Sequence, residues 1–213
     1  VRELNEWYRN ELSRLPVDIH LGQEARPEII VRLEPDVIIL AAGSEPVELA
    51  AGEAQNGKIV GCIEALANPD RIGQKVVVIG GGLVGCEMAL EYAQNGKDVT
   101  VVEALPHILA AGIPSPVPNA QMIPDLFEKY GVKVLENHKF VGFSAGRAHF
   151  ENADGPVALD ADTIVTATGF RPCPSMKAEL EKFGFAVHEI GDQRSVATIL
   201  QAIWDGFEVG NNI

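Results

Sequence analysis

The sequence predicts an α/β fold built on a parallel sheet, and three observations carry that prediction. Lys75–Glu103 reads KVVVIGGGLVGCEMALEYAQNGKDVTVVE, in the order strand, glycine turn, helix, strand, with an acidic residue closing the second strand. Val76–Ile79 within it is a continuous β-branched run of the kind buried on both faces of a parallel sheet. Two further buried runs, Val37–Leu40 and Asp162–Ala167, end in small residues, and Val132–Leu135 follows a helical stretch as a third parallel strand. From Lys139 to Leu159 the pattern changes to Phe140–Phe143, Ala148–Glu151 and Pro156–Leu159, separated by Gly146 and by Asp154-Gly155, which are the signals of an antiparallel meander.

Taken in order, Arg2–Leu15 places Leu4, Trp7, Tyr8, Leu12 and Leu15 on one side of a helix, and Pro16 stops it. Val17–Leu21 is expected to be a short apolar strand. Ala25–Leu33 is a helical or irregular crossover, and Val37–Leu40 is a buried strand running into Ala41-Ala42-Gly43-Ser44-Glu45-Pro46. Small residues at such a strand end suit close approach by another backbone or a ligand. Ala50–Gly61 reads as a polar, glycine-rich connection and Ile63–Ala67 as a short helix before the loop Asn68–Gln74. Leu105–Pro118 carries four prolines and no periodicity, so it is a loop of the length that often lines a site. Asn119 is placed to cap a helix through Tyr130, with Met122, Ile123, Leu126 and Phe127 on one face. Met176–Phe183 reads as a weak helix and Val187–Ile190 as a strand. Gly191-Asp192 follows, and then a helix from Val196 to Asn211 with Ile199, Leu200, Ile203, Trp204 and Phe207 as its apolar face.

Gly80-Gly81-Gly82-Leu83-Val84-Gly85 is a G-x-G-x-x-G run in the context that gives it meaning. Gly80 permits the tight turn, Gly82 lets backbone approach a pyrophosphate, and Gly85 lets the new helix pack closely on its strand. The helix N-terminus adds unpaired N–H groups and a positive dipole end. Met88, Ala89, Tyr92 and Ala93 continue the apolar spacing begun at Val84, and Asn95-Gly96 closes the helix. Glu103 stands 23 positions after Gly80, at the end of the second strand, where a carboxylate can accept hydrogen bonds from ribose hydroxyls. These residues predict a dinucleotide site that prefers NADH, because Glu103 repels a 2′-phosphate and Ala104-Leu105-Pro106 offers no cation to pair with one.

Composition narrows the remaining classes. The chain has 213 residues, of which 46% are hydrophobic, and a formal net charge of −13. That charge argues against nucleic acid or an anionic membrane surface as a partner. No apolar run reaches the length that spans a bilayer, the first residues lack the apolar core of a signal peptide, and a cytoplasmic setting is expected. Cys62, Cys86 and Cys173 are odd in number and far apart, so neither a disulfide framework, a metal motif nor a C-x-x-C redox pair is present. Cys86 lies in the first turn of the fingerprint helix and is read as a packed residue. His107, His138, His149 and His188 are read as surface or packing groups.

The order AAGSEP, GGGLVGCE with its distal acid, TATGFRP, and IGD before a helix resembles the two-dinucleotide-binding-domain flavoprotein reductases. More narrowly, LNEWYRNEL, PDVIILAAGSEP and ILQAIWDGFEVGNNI resemble the C-terminal reductase region of the old yellow enzyme-like NADH:flavin oxidoreductases, the group that includes 2,4-dienoyl-CoA reductase and trimethylamine dehydrogenase. The resemblance implies a Rossmann-like NAD(H)-binding lobe with parallel sheet and β-meander at 73–168, inserted in an incomplete FAD-binding Rossmann-like lobe formed by 1–72 and 169–213. It implies NAD contacts at Gly80, Gly81, Gly82, Leu83, Val84, Gly85, Glu87, Glu103, Ala167 and Gly169. A partial FAD site is implied at Ala41, Ala42, Gly43, Gly191 and Asp192, with no acid, base or metal ligand of the chain's own. The family's first FAD fingerprint has no counterpart in these residues. The expectation is therefore a fragment of a longer flavoprotein, missing a flavin barrel with FMN and an iron–sulfur cluster. Electrons would pass from NADH through flavin to that barrel. The resemblance also leaves open a lobe that binds an adenine nucleotide and does no hydride chemistry.

Overall fold

A computed structural model describes residues 2–49, 59–112 and 117–213. The parts of the two expected loops at 50–58 and 113–116 lie outside the described residues. The chain divides into two compact units, Val1–Ile38 with Met176–Val187, and Ile39–Ser175 with His188–Ile213.

In chain order the elements are α1 (Arg2–Leu12), α2 (Pro27–Arg32), β1 (Val37–Leu40), β2 (Ser44–Pro46), β3 (Ile59–Gly61), α3 (Cys62–Ala67), β4 (Lys75–Ile79), α4 (Leu83–Gln94), β5 (Asp98–Val102), α5 (Val117–Tyr130), β6 (Lys133–Leu135), β7 (Lys139–Ser144), β8 (Arg147–Asn152), β9 (Gly155–Asp160), β10 (Thr163–Thr166), β11 (Phe170–Pro172), α6 (Lys177–Lys182), β12 (Ala186–Glu189) and α7 (Ile199–Asn212).

Five strands form one parallel sheet in the order β3-β10-β4-β5-β6. The valine run of β4 is buried throughout because the sheet is covered on both faces. Val76 and Val78 face one way with Val99, Val101 and Val165, against Cys86, Met88, Ala89 and Tyr92 of α4 and Ile123 and Phe127 of α5. Val77, Ile79, Val102 and Ile164 face the other way, against Ala148 and Phe150 of the meander β7-β8-β9. The two-residue alternation of side chains along each strand thus supplies both cores. From β4 the chain steps outward through β5 to β6, and β10 and β3 lie on the other side of β4, so the parallel neighbours β4 and β10 end side by side and bring the glycine turn and Ala167 to the same end of the sheet.

Several expectations need correction. Val17–Leu21 forms no strand: the described residues place no partner ladder beside it, and Leu21 is 89% exposed. The expected burial of β1 holds for Ile38 alone. The expected connection before Gly61 contains β3, whose three residues are too short for a periodic signal and are held by pairing of Ile59 and Val60 with Ile164 and Val165. The segment after Gly43 is likewise not simple loop: β2 pairs antiparallel with β11, Glu45 opposite Arg171. Helix α5 begins at Val117, so Asn119 lies inside its first turn and is no cap, and of the face expected there Ile123 and Phe127 are the buried pair. Helix α7 begins later than expected, capped by the Thr198 hydroxyl, which accepts from the Gln201 amide. Its expected apolar face is exposed, and the buried residue of α7 is Asp205. The meander appears where expected, with a bulge between Phe140 and Gly142.

Candidate functional site

The glycine run follows the carboxyl end of β4, beside the end of β10. Gly80 continues from β4, its amide donating to the Val102 carbonyl at 2.9 Å, and the Ala167 amide donates to the Ile79 carbonyl at 2.8 Å. Gly80 turns with φ +106°, and a Cβ there would lie 2.3 Å from the Ala167 carbonyl oxygen. A Cβ on Gly85 would lie 2.0 Å from the Gly80 carbonyl oxygen. On Gly81 it would meet the Ile108 side chain at 2.7 Å and Glu103 at 3.2 Å. These three glycines are required by the protein's own packing: an L side chain at Gly80 or Gly85 collides with neighbouring backbone, and one at Gly81 with the half-buried Ile108 and Glu103 side chains.

Gly82 is different. It is the N-cap of α4, with φ −71° and ψ 179°, a backbone conformation that any residue adopts. A Cβ built on it meets nothing within 4 Å. Neither internal packing nor backbone strain calls for glycine there, while Ser, Thr, Asp or Asn at an N-cap would stabilise the helix. What glycine leaves at that point is open space in front of the first turn of α4, whose amides have no side-chain cap. Unpaired amides, a positive dipole end and clear approach are the requirements of an anion site. The residues present therefore fit a pyrophosphate. Around that mouth Leu83 is half-buried, while Val84 and Glu87 are exposed on α4.

Glu103 follows β5 and is half-buried. One carboxylate oxygen accepts the Gly81 amide at 2.7 Å and the other accepts the Leu105 amide at 2.8 Å. Each oxygen keeps a further lone pair, so the carboxylate can still accept ribose hydroxyls while it fixes the glycine turn. The sequence reading missed this second task of Glu103. It also missed the wall over Gly81: the Leu109 amide donates to the Gly81 carbonyl at 2.7 Å, which brings Ile108 against the turn. The expected site-lining role of the loop after Glu103 was the available signal, but the residues that face the turn could not be chosen without coordinates.

Cys86 packs behind the turn, fully buried, its thiol donating to the Gly81 carbonyl at 3.3 Å. Burial first, then the nearby carboxylates of Glu103 and Glu87, push its pKa up to about 12. Burial also raises the Cys62 thiol. All three cysteines are free.

Ala167 and Gly169 lead from β10 to β11, where the Val47 amide donates to the Gly169 carbonyl at 2.9 Å and the Thr168 hydroxyl donates to the Val47 carbonyl at 2.8 Å. Ala167 lies against Gly80 and Gly85. Gly169 stands beyond this contact, on the β2 side. Ala41, Ala42 and Gly43 leave β1, which pairs with β12, and the Ile190 amide donates to the Leu40 carbonyl at 3.0 Å. The Gly191-Asp192 turn follows. Asp192 accepts the Ser44 hydroxyl at 2.8 Å with one oxygen and the Ala197 amide at 3.0 Å with the other. The Cys173 amide donates to the Gly43 carbonyl at 3.1 Å, and the buried Gln193 side chain donates to the Cys173 carbonyl at 2.9 Å. The two turns that lie 148 residues apart in sequence at Ser44 and Asp192 are thus joined directly.

Two of the histidines are tied into structure, while His107 and His188 lie on the surface. His138 lies between the Glu136 carbonyl at 2.6 Å from its Nδ1 and the Asn152 side-chain amide at 2.9 Å from its Nε2. His149 meets Ser144 across the β7–β8 hairpin. Among the described residues, no helix is long and apolar enough to cross a membrane.

Comparison with known proteins agrees with this architecture. Residues 17–193 match the family described as pyridine nucleotide-disulphide oxidoreductase. The chain is 35% identical over 215 residues to cinnamate reductase of Clostridium sporogenes, covering 100% of this chain and 32% of the relative. It is 34% identical over 203 residues to bilirubin reductase of Mediterraneibacter gnavus, covering 95% of this chain and 31% of the relative. A solved 2-naphthoyl-CoA reductase in complex with 2-naphthoyl-CoA superposes with a TM-score of 0.82 at 27% identity, covering 97% of this chain and 31% of that one. The chain spans about a third of the length of these proteins. It is a dinucleotide-binding oxidoreductase domain that belongs to the pyridine nucleotide-disulphide oxidoreductase family.

Proposed function

We propose that this chain is the nucleotide-binding part of an old yellow enzyme-like NADH:flavin oxidoreductase, in which 73–168 hold NADH and the residues on either side contribute part of an FAD site. The observation that carries the nucleotide reading is Gly82, the one glycine of the fingerprint whose missing side chain faces open space. In this reading the first-turn amides from Gly82 to Gly85 take the pyrophosphate, with Leu83, Val84 and Glu87 lining the approach. Glu103 takes the adenosine ribose. Ala167 borders the glycine turn and Gly169 follows it. When bound, NADH would supply a hydride to flavin, and the chain's own residues would bind and orient the cofactors rather than donate or remove protons.

On the flavin side, Ala41, Ala42, Gly43, Gly191 and Asp192 form the portion of the site present in this sequence. The rest, including a second glycine fingerprint, is proposed to come from residues outside it, together with a barrel carrying FMN and an iron–sulfur cluster. Reductase activity in the two curated relatives supports this assignment. The thiol beside the turn is held neutral by burial and has no part in this reading. The substrate that finally receives the electrons belongs to the proposed barrel.

Gly82→Val tests the reading. Its β-branched side chain fills the space in front of α4, so NADH binding should fall below detection in calorimetry. Stability should change by no more than about 1 kcal/mol, the order of an N-cap substitution. Normal NADH affinity in this variant would place the nucleotide elsewhere.

A further inference from the structure

Helix α7 carries one buried charge on an otherwise apolar and neutral stretch. Asp205 is 2% exposed in the sequence Ile203-Trp204-Asp205-Gly206-Phe207, whose large apolar neighbours are all on the surface. Burying a carboxylate is costly unless hydrogen-bond donors surround it. Here one oxygen accepts the Gly191 amide at 3.0 Å. The other accepts Gln201 Nε2 at 2.9 Å and lies 2.9 Å from Arg194 Nη2. Two of these three donors, the Gly191 amide and the Arg194 guanidinium, belong to the turn between β12 and α7, not to α7 itself. Gly191 has φ +58°, a left-handed conformation, and a Cβ on it would lie 3.3 Å from the Ala202 Cβ, so this turn is seated tightly on the helix.

We propose that Asp205 is a positioning residue that fixes the Gly191-Asp192 turn in the conformation that presents Asp192 to Ser44 and the Ala41–Gly43 strand end. The inference rests on the reading of Gly191-Asp192 as part of a flavin site. Gly191 is held by its amide from behind. The adjacent Asp192 carboxylate then joins the turn to two other segments, with its Oδ1 on the Ala197 amide and its Oδ2 on Ser44. The Arg194 charge and the Gln201 hydrogen bond stabilise the buried carboxylate on the oxygen that does not face Gly191. Electrostatics agree with the geometry: the hydrogen bond from Gln201, then that from the Gly191 amide and the Arg194 charge, outweigh burial and hold the Asp205 carboxyl below its usual range.

The test compares Asp205→Ala, Asp205→Asn and Asp192→Asn in the full-length gene product, by FAD affinity, visible circular dichroism of bound flavin, NADH affinity and hydrogen exchange at the Gly191 amide. Asp205→Ala should weaken FAD by about tenfold or more, the scale of a lost charge-assisted hydrogen bond. It should also alter the dichroism of the flavin that remains bound, speed Gly191 exchange by about the same factor, and leave NADH affinity within about twofold. Asp205→Asn keeps an acceptor for Gly191 and should fall between wild type and alanine, which also covers the case in which the alanine variant does not fold. Unchanged FAD affinity and flavin dichroism in both Asp205 variants, with FAD weakened by Asp192→Asn, would overturn the positioning role and leave the flavin reading intact. A parallel loss of NADH and FAD affinity with unchanged flavin dichroism would also overturn it, since that is the mark of general destabilisation. If Asp192→Asn does not affect FAD, the flavin reading itself fails; Gly191 exchange then decides whether Asp205 sets the turn, and equal exchange in all variants overturns that as well.

Discussion

The five-stranded sheet and the segment Arg2–Ile38 use similar apolar residues to opposite ends. In the sheet, valine and isoleucine of β4, β5 and β10 are buried on both faces, closed by helices on one side and the meander on the other. In Arg2–Ile38 the described residues show a single buried hydrophobic, Ile38, while Leu4, Trp7, Tyr8, Leu15, Val17 and Ile19 are exposed. Each large apolar side chain gains about 1.5–3 kcal/mol when it is buried, so the sheet retains a stabilisation that the first segment does not. The difference parallels the proposed function. The region with a closed core also holds the complete glycine turn, and the region with open apolar faces is the one proposed to belong to a flavin lobe completed from outside this sequence.

The sharpest way to break this comparison is to damage the closed region from within. Gly85→Ala places a Cβ 2.0 Å from the Gly80 carbonyl oxygen, and helix α4 must move off β4 to relieve it. Overpacking of this kind costs about 1–3 kcal/mol or more, so the urea midpoint should fall substantially, whereas Gly82→Val, with nothing within 4 Å of its Cβ, should shift it little. Equal destabilisation by the two changes would remove the distinction between glycines that serve the fold and the glycine that serves a ligand.

A smaller effect sharpens the nucleotide assignment. Glu103 is anchored by the Gly81 and Leu105 amides, so it cannot swing away from a 2′-phosphate without releasing the turn. NADPH should bind at least about tenfold more weakly than NADH, a difference of about 1.4 kcal/mol. Calorimetric titration with each nucleotide reads this directly, and equal affinities would contradict it.

The smallest effect concerns chemistry behind the turn. Cys86 remains a neutral thiol until about pH 12, and burial raises Cys62 as well. At pH 8 the thiolate is the species that reacts with iodoacetamide, and its population is suppressed at both positions. Mass-spectrometric mapping should therefore find the half-buried Cys173 modified first and Cys86 last. Early alkylation of Cys86 in the folded chain would mean that the first turn of α4 opens.

Much of the nucleotide region was legible in the sequence because its determinants are local. A strand that is apolar at successive positions, a glycine turn and an amphipathic helix are each decided within a few residues, and Glu103 falls at the end of the next strand. The parts that were not legible depend on partners far away in the chain. β3 exists because Ile164 and Val165 lie beside Ile59 and Val60, and β2 because Arg171 lies beside Glu45. Val17–Leu21 has strand composition but no ladder, and composition alone does not form a strand. The α7 face from Ile199 to Phe207 has the right helical spacing, yet spacing cannot say whether a surface meets it. Asp205 was hidden for the same reason: the Gly191 amide that it accepts lies in a turn fourteen residues earlier in sequence.

The central claim is that this polypeptide contains a whole NADH site and only part of a flavin site. Titration of the 213-residue chain with NADH and, separately, with FAD tests both halves in one preparation. The account predicts saturable binding of one NADH, abolished in Gly82→Val, and no stoichiometric FAD either as purified or after addition, seen as the absence of flavin absorbance in the blue. A yellow protein with one tightly held FAD, or a chain that ignores NADH, would contradict it.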